Sequence, residues 1–385
     1  MKLSNLILIF VSVASSLSAQ VRTNHPESSI VFTIKAPASP FTSEVANQYK
    51  GGTCWCMSAL SYWEAEGLRL SGKQVNLSER FVLYLTYILK ARNYLERDGK
   101  AQFGQGGEFF DAQAVVQQFG LMPETAWPWE PAPKIEVLHP QLEAYLEVLL
   151  KYHDLMGRYP ATWEADFRSI LDRHLGRMPH TFQFEGREHT PLSFAQSLKI
   201  KNGDYINLMS DARYPAYTQV VVPLADNWIS GTAWNIPFEI FTTLPQEVLR
   251  QGGTLEWATD VSNPHWKWKM GIAAVHGLDT LALSADERRT LWLKPIAEQR
   301  VSADARQLGL QQHSTTDDHG MHIIALVNDP NQQPYYLVKN SWGTDSNECK
   351  GYLFVSAQYA NLYTTMYSIH KDFLPASVKQ LLRRE

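Results

Sequence analysis

Cys54, His319 and Asn340 have the residue types, and the order along the chain, of a nucleophile, a base and an orienter of that base. The thiolate is the reactive form of cysteine, and exposed backbone N–H groups at the start of a helix favour it. Cys54 opens the run TCWCMSALSYWEAEGLRL, in which Met57, Leu60, Trp63 and Leu68 recur at helical spacing behind the glycine pair Gly51 and Gly52. It is therefore expected at or near a helix N-terminus. A lone cysteine there is more often a small buried hydrophobe, so the reading rests on its surroundings. Gln48, in NQYKGGTCW, could bring its side-chain amide and the Cys54 N–H onto one point, because the intervening glycines permit a tight backbone path. Together they would form an oxyanion hole. One such donor is typically worth about 10²- to 10³-fold in rate, since it meets charge that develops only at the tetrahedral intermediate.

A base is offered by DDHGMHIIALVND, where His319 precedes a strand-like run. His322 is its competitor, but alternation along a strand turns it to a different facing. Asn340 follows in YYLVKNSWG. Its side-chain carbonyl can accept the imidazole N–H turned away from the thiol, and Trp342 can shield that bond from water. The chemistry these groups imply is amide hydrolysis through a thioester, which needs no metal and no organic cofactor.

The elements that must hold these groups divide along the chain. A second helix is expected after LSERF, with Ser78 as N-cap, and a third from about Glu108 to Phe119 after GQGG. The stretch 131–237 carries the helix candidates IEVLHPQLEAYLEVLLKYHDLM and ATWEADFRSILDRHLG. A helix start at Thr190-Pro191 and short strands such as DYINLMS follow, so the stretch reads as a mostly helical insertion. Later, TLEWATDV reads as a strand, and Ser284 with Glu287 as a capping box. HIIALVND, YYLVKNS and YLFVS are β-rich and separated by turn signals. Helices lead and strands follow, the α+β pattern.

Taken together, Gln48, Gly52, Cys54 and Trp55 resemble the nucleophile motif of papain-like cysteine peptidases, and KNSWG matches that family's stretch around the orienting Asn. Gly51 stands where papains proper carry a disulfide-forming Cys. In this the chain is similar to the bleomycin hydrolase and aminopeptidase C branch, as is His319-Gly320-Met321 beside that branch's His-Ala-Met. His322 falls where the family has an ordinary apolar site. VNLSERF resembles the family's Asn-Leu-Ser-Glu stretch, and Gly106-Gly107 its substrate-holding glycines. The resemblance implies a papain-like fold, with a helical half bearing Cys54, a β-barrel-like half bearing His319 and Asn340, and peptides as substrates. It implies that Gly106, Gly107 and Trp342 line the substrate site. Asp260 matches a family Asp and is read as structural. The insertion would build a hook for homo-oligomers, commonly hexameric rings.

Aminopeptidase action in that branch depends on a C-terminal arm lying in the cleft. The tail LPASVKQLLRRE does not match the family's closing segment, so an endopeptidase stays open beside the expected aminopeptidase. A peptide-binding module on a dead scaffold is disfavoured by the intact Cys, His, Asn and Gln. A transglutaminase-like acyl transferase would normally carry Asp where this chain reads KNSWG.

Bulk properties set the remaining expectations. With 44% hydrophobic and only 19% charged residues the chain can bury a substantial core. Thirty-five basic against 39 acidic residues, a net charge of -4, offer no general attraction to nucleic acid. Residues 1–19 have a basic Lys2, an apolar run from Leu6 to Ala14, and small Ser18 and Ala19, the pattern of a secretory signal peptide. Residues 20–385 would then form the peptidase domain, exported to a periplasmic or extracellular location. The apolar run is too short to span a bilayer. Three cysteines are too few for a disulfide framework, and no His stands near Cys54 and Cys56 at zinc-ligand spacing. Cys56 and Cys349 receive no role.

Overall fold

The computed structural model describes residues 20–22, 28–35, 43–278, 283–376 and 378–379; the expected signal peptide lies outside them. Two short strands, β1 (Gln20–Arg22) and β2 (Val31–Ile34), precede a helical layer of α1 (Cys54–Ser71), α2 (Glu79–Glu96), α3 (Phe109–Phe119), α4 (Ile135–Met156) and α5 (Trp163–Leu175). Then come β3 (Phe182–Phe184), β4 (Arg187–His189), α6 (Pro191–Ser197), β5 (Tyr205–Met209), β6 (Thr218–Val221), β7 (Thr232–Asn235) and α7 (Phe238–Arg250). The chain continues with β8 (Leu255–Thr259), β9 (Trp266–Lys267), β10 (Ile272–Ala273), α8 (Ala285–Thr290) and α9 (Ala303–Gln311). It closes with β11 (His319–Asn328), β12 (Pro334–Lys339), β13 (Tyr352–Ser356), α10 (Ala357–Tyr363) and β14 (Thr364–His370).

Local chemistry sets several of these boundaries. Ser78 caps α2 by accepting the Phe81 N–H, and Ser284 and Glu287 satisfy each other's backbone N–H at the start of α8. Thr190 caps α6, whose first residue, Pro191, has no N–H to leave orphaned. Gly72 ends α1 in the left-handed conformation, its N–H returning to Leu68 O at 2.8 Å.

The large sheet runs β6-β7-β5-β14-β8-β11-β12-β13-β10-β9, with β2 also pairing β11. Its centre is β11, which pairs antiparallel with β8 from His319 to Ile323 and with β12 from His322 onward. The stretch 131–237 is thus helical at first, and its later part extends the sheet through β5, β6 and β7. Its helices are not a separate body. Leu138, Leu142, Phe167, Leu171 and Phe194 share one apolar cluster with Trp55, Trp63 and Phe81 of α1 and α2. A second cluster, containing Trp257, Met321, Tyr336 and Tyr367, covers the sheet. The N-terminus of α1 and the start of β11 meet between the two.

Candidate active site

The site is built from the first turn of α1. Cys54 is its first residue and is half-buried, after Thr53. Among the described residues no backbone acceptor is found for the Cys54 or Trp55 N–H, as expected for a helix start. The Cys54 N–H remains open towards whatever sits beside the thiol. The thiol also meets the backbone N–H groups of Trp55 and of Gly320, which favour the thiolate. Loss of water outweighs them and pushes the Cys54 thiol up to about 11, with the charges of Asp317 and Glu256 adding to the rise.

Gly320 is also where β11 crosses α1. A Cβ built on Gly320 would lie 2.9 Å from Ser58 Oγ and 3.4 Å from Trp55 Cα. The strand therefore approaches the helix backbone closely, and this brings the preceding residue, His319, to the thiol's end of the helix.

His319 is 4% exposed and its Nε2 lies 2.7 Å from Asn340 Oδ1. The Ser341 backbone N–H donates to the same Oδ1 at 2.7 Å. A backbone N–H can only donate, so that atom is the amide oxygen, and Nε2 must carry the imidazole proton. Nδ1 is left with its lone pair. Burial lowers His319 to about 4, partly offset by the bond to Asn340. A lone charge on either His319 or Cys54 is thus disfavoured, and the charged form open to the site is a thiolate and an imidazolium made together. Trp342 lies over the ring, centroids 4.6 Å apart, and is itself backed edge-on by Trp268 at 4.8 Å.

Gln48 is buried, and its amide is oriented at both ends. Nε2 donates to Gly51 O at 2.8 Å, and Oε1 accepts from Ser341 Oγ at 2.7 Å. One Nε2 proton remains for a substrate oxygen. The Gln48 N–H is further tied to Ser341 O at 2.9 Å. Ser341 therefore joins the Gln48 loop to the turn that carries Asn340, a role the sequence reading missed although KNSWG contains the residue.

Gly106 and Gly107 stand on the same rim. Gln105 O accepts the Trp55 indole N–H at 3.0 Å, and Gln105 Oε1 accepts the Gly52 N–H at 2.9 Å. A Cβ on Gly107 would lie 3.3 Å from the Trp55 ring. Lys90, buried in α2, donates to Gly104 O at 2.8 Å and to Gly106 O. Its only sign in the sequence is one Lys within the largely apolar run YLTYILKA.

The competing and unassigned residues separate clearly. His322 is fully buried with Nδ1 2.9 Å from Ser61 Oγ, further along α1, and bonds Ser61 rather than Asn340. Asp260 accepts the backbone N–H groups of Ser262 and Thr316, at 2.8 and 3.1 Å, and so ties the approach to His319. Cys56 belongs to the helical cluster and Cys349 to a different one beside Ile272 and Phe354. Among the described residues no group of three or more His, Cys, Asp and Glu is arranged to hold a metal ion. No helix among them is long and apolar enough to cross a membrane.

Comparison with known proteins bears on the family and the fold. Aminopeptidase E of Lactobacillus helveticus is 23% identical over 383 residues, covering 88% of this chain and 84% of that protein. Aminopeptidase C of Streptococcus thermophilus is 23% identical over 407 residues, covering 93% and 86%. The crystal structure of PepW from Lactobacillus rhamnosis HN001 superposes with a TM-score of 0.70 at 20% identity, over 92% of this chain and 85% of that one, and shows the same papain-like fold. The Peptidase C1-like family matches residues 169–385, which include β11 and the turn bearing Asn340. The chain therefore belongs to the Peptidase C1-like family, in the bleomycin hydrolase and aminopeptidase C branch of the papain-like cysteine peptidases.

Proposed function

We propose that the protein is a cysteine aminopeptidase that releases residues from the free amino end of peptides through a Cys54 thioester. The carrying observation is the 2.7 Å bond from His319 Nε2–H to Asn340 Oδ1, which leaves Nδ1 as the basic nitrogen on a strand whose next residue, Gly320, is seated against the helix N-terminus that bears the thiol. In this reading the Cys54 S–H proton passes to His319 Nδ1 as sulfur bonds to the carbonyl carbon. The Cys54 N–H and Gln48 Nε2 hold the resulting oxyanion. The C–N bond then breaks, and His319 returns its proton to the leaving amine. Water attacks the thioester with His319 as base, releasing the acid and the thiol. Gly107 would hold the substrate backbone in extended form, as strand addition does. The free-amine preference draws on the relatives' names, aminopeptidases C, E and W.

The test compares an aminoacyl fluorogenic amide with its N-acetylated counterpart, for the wild type and for Cys54→Ala. Turnover of the free-amine compound that Cys54→Ala abolishes is the expected result. Preference for the blocked compound would indicate an endopeptidase, and unchanged activity in Cys54→Ala would end the thioester mechanism.

Export is part of the same proposal, supported by Lys2 and the apolar run from Leu6 to Ala14. N-terminal sequencing of secreted or periplasmic protein should begin near Gln20. Homo-oligomers are supported by apolar side chains exposed on α4, Val137, Val148, Leu155 and Met156. A monomer mass by light scattering would reject them.

A further inference from the structure

The loop joining β6 to β7 reaches across to the glycine rim and sets a carboxylate on it. A Cβ built on Gly106 would overlap Asp226 Oδ2 and lie 2.8 Å from Asp226 Cγ, so only the missing side chain at Gly106 makes room for this acid. Asp226 Oδ1 accepts a hydrogen bond from Gln102 Nε2 at 2.7 Å. Oδ2 has no hydrogen-bond partner among the described residues, and no Lys or Arg among them pairs with Asp226 within salt-bridge distance. Lys90, the nearest buried cation, is committed to the carbonyls of Gly104 and Gly106.

The loop is built to hold that position. Asn227 closes its base, Nδ2 donating to Val222 O and Gly231 O at 2.8 and 2.9 Å while Oδ1 accepts the Gly231 N–H at 2.7 Å. Trp228 is 6% exposed, its carbonyl accepts from Asn93 Nδ2 at 3.2 Å, and the Lys90 ammonium lies 5.9 Å from its ring centroid. Gly231 lies flat on the Phe110 ring, where a Cβ would be only 2.7 Å from the Cδ1 atom. Asp226 is thus fixed by three anchors around it rather than carried on a free tip.

Beneath it, Asp111 is fully buried at the start of α3, and its Oδ1 has no partner among the described residues. The Glu108 N–H donates to Asp111 Oδ2 at 2.9 Å. Burial raises Asp111 to about 7, against the opposing charge of Lys90, so the negative charge this end of the cleft offers is that of Asp226, and its loop is a wall across it. An extended chain held at Gly107 meets both within about one residue, a rise of roughly 3.3 Å.

We infer that Asp226 is the specificity determinant for a free amino end: its carboxylate takes the substrate's α-ammonium, and its loop stops any longer chain at Gly106. This rests on the aminopeptidase reading above. It assigns to an internal side chain the work of recognising the amine. A basic side chain carries the same ammonium or guanidinium chemistry, so the test must separate the two sources.

The experiment measures kcat/KM for leucyl- and arginyl-4-methylcoumarinylamides, free and N-acetylated, on wild type, Asp226→Asn and Asp226→Ser. Asp226→Asn keeps an oxygen for Gln102 and removes only the charge, and Asp226→Ser guards against a misplaced Asn. Expected is a fall of about 100-fold in the free-over-blocked ratio in both variants, for both leucyl and arginyl compounds. The wild-type rate on leucyl amide should also decline above about pH 8, as the amine loses its proton, and this decline should flatten in Asp226→Asn. A ratio kept within about twofold overturns the assignment while leaving the aminopeptidase standing. A loss confined to arginyl compounds overturns it in favour of a side-chain subsite. Wild type that does not prefer the free amine sinks the underlying reading instead.

Discussion

Gly320 and Trp55 touch across the active site: a methyl group on Gly320 would come 3.4 Å from Trp55 Cα, with Ser58 Oγ at 2.9 Å. The strand that carries His319 is therefore seated directly on the first turn of the helix that carries Cys54. Misplacement of reacting groups by about 1 Å can cost about 10²-fold in rate. Gly320→Val should lower kcat by about 10²-fold, because its branches must push β11 off α1. Gly320→Ala should lose less, about threefold to tenfold, since Ser58 Oγ can turn away. The kinetics are to be read beside circular dichroism; a Val variant that folds and turns over at the wild-type rate would show that this contact does not set the geometry.

On the proposed mechanism Asn340 would act on substrate only through His319. Asn340→Ala removes the acceptor at 2.7 Å that fixes the imidazole proton on Nε2. It should reduce kcat by about 10²-fold with KM within about twofold, since the orienter of a base affects the chemical step more than ground-state binding. A change confined to KM would contradict the assignment. Asn340→Gln, which retains a carbonyl but shifts it by one methylene, should recover only part of the loss.

Gln48 and Ser341 give a graded pair. Gln48→Ala deletes one proposed oxyanion donor and should cost about 10²- to 10³-fold in kcat. Ser341→Ala leaves Gln48 in place, because the Gln48 N–H still bonds Ser341 O at 2.9 Å, but frees its amide to rotate. About tenfold is expected for it. If the two effects act through one group, the double variant should resemble Gln48→Ala alone. Additive losses would mean that Ser341 acts elsewhere.

What could be read before folding is unevenly spread over these residues. Cys54, His319, Asn340 and Gln48 stand in runs whose local pattern marks a helix start, a strand start and a turn, so their surroundings travel with them in sequence. The caps at Ser78, Thr190 and Ser284 were legible for the same reason. Gly320 was quoted only as a neighbour of His319, because its importance comes from Trp55 and Ser58, which lie on a different element. Lys90 carries no mark in the sequence beyond the apolar run around it, because its role comes from α2 burying it against Gly104 and Gly106, which lie on a different segment. Asp226 was invisible, since nothing in PLADNWISG indicates that β7 pairs with β5 and carries the loop to α3. Pairings between distant strands are set by the whole core, and a single sequence does not display them.

The carboxyls behind the nucleophile should make stability depend on pH. Glu256 is 1% exposed, with Oε1 2.9 Å from Ser58 Oγ and no partner for Oε2 among the described residues. Burial raises it to about 8, and burial likewise raises Asp317 to about 7, against the lowering bond from Thr365 Oγ1. A carboxyl whose pKa is raised on folding stabilises the fold fully below its unfolded value, and that contribution is lost as pH climbs through the folded value. In Cys54→Ala protein, used to prevent self-cleavage, Tm should therefore fall by several °C between about pH 5 and pH 8, most steeply between about 5 and 7, where both carboxyls are protonated in the fold and ionised in the unfolded chain, and level off above about pH 8. Glu256→Gln removes one of the titrating groups at nearly constant shape. Its Tm profile should be flatter, crossing above the parent's at the alkaline end. A parent Tm that rises over this range, or a Glu256→Gln profile parallel to the parent's, would mean that Glu256 is already ionised in the folded protein at neutral pH and that water or a counter-charge reaches it.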